Sequence, residues 1–139
     1  MLADTLNTNE VKNSAGTEVE FSRLSTSNRD TEFAQIGETP SQPHRLLIKH
    51  QETGKGMSQR RRSVVRVDKT VISGVDSATP VTVSAYIVLD APVGAMSSIA
   101  EATNVIAELL SFCATTGVGT TVLFDGSGNG ATALLTGGL

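Results

Sequence analysis

From residue 60 to residue 90 the side chains change character at nearly every second position, and a half-exposed β-sheet is the structure that uses such a pattern. In "VTVSAYIVLD", Val81, Val83, Ala85, Ile87 and Leu89 fall on one side of an extended chain, and Thr82, Ser84, Tyr86, Val88 and Asp90 on the other. One side reads as core and the other as mostly wet. "RRRSVVRVD" repeats the pattern, with Val65 and Val67 beside Ser63, and Arg62 and Arg66 opposite with Val64 and Asp68. In "HRLLIKHQ", Leu46 and Ile48 oppose Arg45, Leu47 and Lys49. If these three segments are neighbours in one antiparallel sheet, their polar sides form a basic surface with Tyr86 beside it.

Charge supports that reading through its distribution, not its total. The formal charge of the 139-residue chain is −3, which points to neither nucleic acid nor a membrane surface. Between Arg45 and Lys69, however, eight basic residues face only Glu52 and Asp68, a local balance of +6. The remaining three basic and twelve acidic residues give −9, and no Lys or Arg follows Lys69.

Other features exclude function classes. A single cysteine, Cys113, permits no internal disulfide and fits a reducing compartment. No apolar run approaches the roughly 20 residues of a spanning helix, and "MLADTLNTNE" lacks the pattern of a signal peptide, so neither membrane insertion nor export is expected. His44 and His50 have no companion ligands at metal spacing. "GSGNG", residues 126–130, lacks the strand, lysine and helix start of a phosphate loop and reads as a flexible turn. No nucleophile with a base and no recognisable pair of catalytic carboxylates is present, so no enzyme and no cofactor is expected. With aromatics at 4%, a monomer would have a thin core, and completion by a second copy is expected.

The rest of the chain reads as strands, then helix, in a single domain. "TLNTNEV" and "TEVEFSRL" flank "NSAG" as a hairpin over 5–24, with Gly16 at the turn. The antiparallel sheet spans 31–90, beginning with "TEFAQI". Residues 97–116 form an amphipathic helix with Ser98 and Glu101 as a capping box, Gly117 as its stop, and Ile99, Ala102, Ile106, Leu109, Leu110 and Cys113 on one apolar stripe. A short apolar segment, Val122 to Phe124, precedes a Gly-rich tail, 126–139. The class is α+β.

This order of elements, with its basic "RRRSVVRVD", its "VTVSAYIVLDAP" and one long helix after them, resembles the coat proteins of the single-stranded RNA bacteriophages, the leviviruses. The likeness covers about residues 5 to 125 and is sharpest over 60–113. It implies an N-terminal hairpin and a five-stranded antiparallel sheet followed by helix, in an intertwined homodimer with a continuous ten-stranded sheet. In such a dimer the helix stripe lies on the partner's Val83 and Ile87 face. The implied function is a virion capsid subunit, assembled in the bacterial cytoplasm into an icosahedral shell around genomic RNA.

The resemblance places RNA on Arg45, Leu47 and Lys49 of the fourth strand, Arg62, Val64 and Arg66 of the fifth, and Tyr86 and Val88 of the sixth. Tyr86 matches a tyrosine that stacks on an unpaired base, a common mode for single-stranded RNA. Val88 departs from the family, several of whose members carry Asn or Asp there, which puts hairpin-specific repression of replicase translation in doubt. Ser73, Gly74, Val75, Asp76, Ser77, Ala78, Thr79 and Pro80 match the loop that gathers around the shell's symmetry axes. The competing reading is a non-viral, dimeric RNA-binding regulator built on the same sheet.

Overall fold

The alternating segments zip together in register along their full length. In a computed structural model, which describes residues 2–116 and 122–138, β5 (Arg60–Ile72) pairs antiparallel with β6 (Pro80–Ala91) from Arg61↔Ala91 to Ile72↔Pro80. The strand runs on past "RRRSVVRVD" through "KTVI", because Val71 keeps the same period and Thr70 and Thr82 bridge their hydroxyls at 2.7 Å. On its other side β5 pairs with β4 (His44–Thr53), which pairs in turn with β3 (Asp30–Gln35), β2 (Phe21–Ser27) and β1 (Thr5–Leu6) in sequence order.

The result is one six-stranded antiparallel sheet, in which the hairpin's second arm is a full member. Its two edges differ. β1 is two residues long, cut short where Asn9 takes a positive φ of 64°, whereas β6 offers twelve residues with no strand beyond it among the described residues. The turn between the hairpin arms forms as expected, with Gly16 at φ 78° and the Asn13 side chain accepting from the Ala15 and Thr17 amides at 3.0 Å.

Cross-strand neighbours share a face, so the register assigns every side chain. Leu6, Phe21, Phe33 and Leu46 lie on one face and are the buried hydrophobic side chains of the sheet, with Phe21 and Phe33 fully enclosed. Towards β5 and β6 the same face is open: Val65, Val81 and Val83 are exposed, Val83 at 67%. The burial is therefore concentrated at the β1–β4 end.

The described residues fall into two compact units, the sheet unit (up to Thr8, with Val19–Met96) and a second one (Asn9–Glu18, with the chain from Ser97 onward). In the second, α1 (Ala100–Cys113) is shorter than the expected 97–116. The capping box does not form. Ile99 occupies the cap position, which leaves Ser98 one residue too early, its hydroxyl 3.4 Å from the Ala100 amide. At the other end Ala114 turns extended, and β7 (Thr115–Thr116) pairs with β8 (Val122–Leu123). Gly117, the expected stop, lies outside the described residues.

"GSGNG", expected as a flexible turn, instead runs into a helix. Asp125 accepts from the Ser127 amide and hydroxyl at 2.9 and 2.7 Å, and α2 (Asn129–Thr136) follows, closed by Gly137 in the left-handed region. Glycine is required before it because of close approach: a Cβ on Gly128 would lie 2.2 Å from the Ala114 carbonyl oxygen. Gly130 sits equally tightly against the Phe112 ring. Gly128→Ala should therefore push α2 off its seat, at a cost of about 1–3 kcal/mol. Amide exchange in Asn129–Thr136 should accelerate while exchange in β4–β6 stays unchanged; equal protection in the variant would show that the approach is not limiting.

Candidate nucleic-acid interface

The face opposite the buried phenylalanines carries all eight residues that the sequence reading assigned to RNA. Arg66 stands across from Tyr86 and Val64 from Val88 on the β5–β6 ladder. Leu47 stands across from Arg66, Lys49 from Val64 and Arg45 from Asp68 on the β4–β5 ladder. Tyr86 is 64% exposed, so its ring is available as a stacking platform beside a guanidinium. The adjacent Val64–Val88 pair has no side-chain hydrogen-bonding atom, which makes this part of the face apolar.

Electrostatically the face is less simple than the linear charge run. β3 adds Asp30 and Glu32 to it, across from Lys49 and Leu47. Lys49 reaches Asp30 at 3.0 Å, and Arg45 holds Glu32 at 3.1 Å and Glu38 at 2.7 Å. Arg66 pairs with Asp68 at 2.9 Å, and Arg60 with Asp90 at 2.9 Å. Arg62 makes no ion pair among the described residues. The acids from β3 were missed because charge was counted along the chain from Arg45 onward. Alternation of Asp30 and Glu32 into candidate strand "TEFAQI" was the signal that could have found them.

Two of these carboxylates are visibly tuned. The Ser84 hydroxyl and Arg66 hold Asp68 below the usual carboxylate range, against the effect of desolvation. Desolvation works against the charge of Glu38, but the His44 amide at 2.9 Å and Arg45 outweigh it and lower its pKa. His50 shares a 2.8 Å hydrogen bond with Ser63 on the apolar face, and His44 meets Phe21 edge-on at 5.0 Å. Among the described residues no group of three or more His, Cys, Asp and Glu could hold a metal ion.

The β5–β6 connection and the helix stripe complete the predicted set. Ser73–Thr79 closes on itself: the Ser73 amide donates to the Thr79 carbonyl at 2.7 Å, and the Asp76 carboxylate accepts from the Ala78 and Thr79 amides and the Thr79 hydroxyl. Val75 at its tip is 98% exposed. On α1, Ala102, Ile106 and Cys113 are half-buried, whereas Ile99, Leu109 and Leu110 face outward; no α1 side chain is fully buried.

No protein-family model matches the sequence, and no curated protein matches it. Solved structures do. The coat protein of bacteriophage EMS014 is similar at 13% identity with a TM-score of 0.65, over 87% of each chain. A virus-like particle of Beihai levi-like virus 32 is similar at 22% identity with a TM-score of 0.55, over 68% of this chain and 75% of that one. The protein capsid of bacteriophage GA gives 20% and 0.52, over 87% and 85%. This is the levivirus coat-protein fold.

The solved structures it resembles are named as a coat protein, a virus-like particle and a protein capsid. In the levivirus coat-protein fold shown here, the β5–β6 connection is a closed loop and not a loose one, and Asp76 is its fastener. Hydrogen bonds from the Thr79 hydroxyl and from the Thr79 and Ala78 amides lower its pKa from 3.8 to about 2. A depressed carboxylate stabilises the folded loop fully above its ordinary pKa, and that contribution disappears as pH falls through the folded value. Protection of the Ala78 and Thr79 amides, taken relative to the unstructured exchange rate at each pH, should therefore be highest above about pH 4 and fall as pH falls towards about 2. Asp76→Asn should remove most of that pH dependence, and an unchanged profile in the variant would assign it elsewhere.

Proposed function

We propose that this chain is a viral capsid subunit that pairs with a second copy, assembles into an icosahedral shell and holds single-stranded genomic RNA on the β4–β6 face. The observation that carries the reading is the two-sidedness of one sheet: an open apolar face at Val65, Val81 and Val83, and an opposite face bearing Arg62, Arg66 and Tyr86. In a homodimer, the α1 stripe of one copy covers the apolar face of the other, and β6 meets its counterpart edge to edge. The closed Ser73–Pro80 loop is then left for contacts between dimers. Being virion protein, it would assemble in the cytoplasm of the bacterial host.

RNA binding in this arrangement rests on phosphate neutralisation by Arg and Lys together with base stacking on Tyr86. The Val64–Val88 pair offers no side-chain donor or acceptor to a base edge, which favours sequence-tolerant packaging over hairpin-specific repression. Exposed ion pairs such as Lys49–Asp30 contribute only about 0–1 kcal/mol, so a phosphate can displace them.

Chromatography with light scattering and absorbance at 260 and 280 nm, on protein expressed in bacteria, should give megadalton particles containing RNA. A discrete RNA-binding dimer that never assembles would favour the regulator, and a monomer free of nucleic acid would overturn both readings. Arg62→Ala with Arg66→Ala should leave the dimer folded and reduce the slope of log affinity against log salt by about 0.7, the share of Arg62, because Asp68 already neutralises Arg66. Val83→Asp should leave the six-stranded sheet intact but weaken dimerisation by about 100-fold or more, because it buries an unpaired charge. Sedimentation at equilibrium reads that change directly.

A further inference from the structure

We propose that Asp30, Glu32 and Asp68 are built-in competitors for phosphate, which hold the RNA affinity of the β4–β6 face below what its cations could deliver. The inference rests on the reading of that face as the RNA surface and adds the residues that set its strength. All three carboxylates share the face with the cations they hold. Asp30 holds Lys49 at 3.0 Å, Glu32 holds Arg45 at 3.1 Å, and Asp68 holds Arg66 at 2.9 Å while also accepting from the Ser84 hydroxyl. Every one of these pairs is partly open to solvent, so RNA can reach the cation without unfolding anything.

The consequence follows from counterion exchange. A free surface cation that meets a phosphate releases salt ions, and that release drives binding. A cation already neutralised by a fixed carboxylate has few ions to release, and the displaced carboxylate is left facing the incoming phosphates. Arg62, with no ion pair among the described residues because Asp90 across from it holds Arg60 instead, is then the point of first contact, and Arg45, Lys49 and Arg66 engage only by exchange. Such a face binds RNA weakly per subunit, and holds it firmly only when many copies act together on one strand.

The test is the triple variant Asp30→Asn, Glu32→Gln, Asp68→Asn in the full chain, compared with the unaltered protein as disassembled dimers. Binding of a labelled single-stranded RNA oligonucleotide is measured across a salt series. The variant should bind several-fold tighter near 0.15 M salt, and its log–log salt slope should steepen by about 1.4, at about 0.7 each for Lys49 and Arg66, because Glu38 still holds Arg45 at 2.7 Å. Glu101→Gln with Glu108→Gln, which removes two carboxylates from α1, should reproduce neither change. Equal or weaker binding by the triple variant, or the same gain in the α1 control, overturns the proposal. If Arg62→Ala leaves the unaltered protein's RNA binding untouched, the face itself has been misassigned and the proposal falls with it. A triple variant that fails to fold is replaced by Asp30→Asn alone, expected to steepen the slope by about 0.7; no steepening there also overturns it.

Discussion

Everything else in this molecule depends on the twelve-pair ladder between β5 and β6. A side-chain period of two means that a slip of one residue would carry Arg62 and Arg66 to the apolar face and Val65 and Val67 to the polar one. The register is pinned at one end by the closed Ser73–Thr79 loop and along its length by matched pairs, Val65 with Ile87 and Val67 with Ala85 on one side, Arg66 with Tyr86 on the other. Once that ladder is fixed, β4 and then β3 have no choice of face either. The position of each candidate RNA contact is inherited from a pairing decision and not from its own chemistry.

That dependence explains what could be read in the sequence. The β4, β5 and β6 segments alternate strongly, so their common polar face was visible before any coordinates. β1 was overestimated, because residues 7–9 look compatible with a strand until Asn9 turns to positive φ. The helix α2 was missed for a different reason. "GSGNG" has the poorest helix propensity in the chain, and what matters there is absence of a side chain where Gly128 and Gly130 meet Ala114 and Phe112. Composition shows the glycines, but only packing shows why they are there.

The electrostatic picture was legible only in part, again for a reason of geometry. Counting charge along the chain treats Arg45–Lys69 as an isolated basic block. A sheet does not respect that order: Asp30 lies across from Lys49, nineteen positions earlier, and Glu32 reaches Arg45. The acidic remainder of the chain is not simply relegated to other surfaces. Part of it is interleaved with the cations, so the face is a lattice of alternating sign, with Arg62 outside every ion pair among the described residues.

The contrast between the two sheet edges has a consequence for the life of the newly made chain. β1 is too short to template anything, but β6 presents twelve residues of backbone with a single proline, at its first position. Natural sheets usually blunt such an edge with lysine, proline or a bulge, and β6 has neither a lysine nor a bulge in its ladder. Under the proposed pairing of β6 with a second copy, the lone subunit is an open template whose lifetime is set by how often it meets another. Abundant synthesis shortens that wait, whereas a trickle of chains leaves each one exposed to whatever strand arrives first. Copy number, ordinarily a matter of supply, would under that pairing become a condition of remaining in solution.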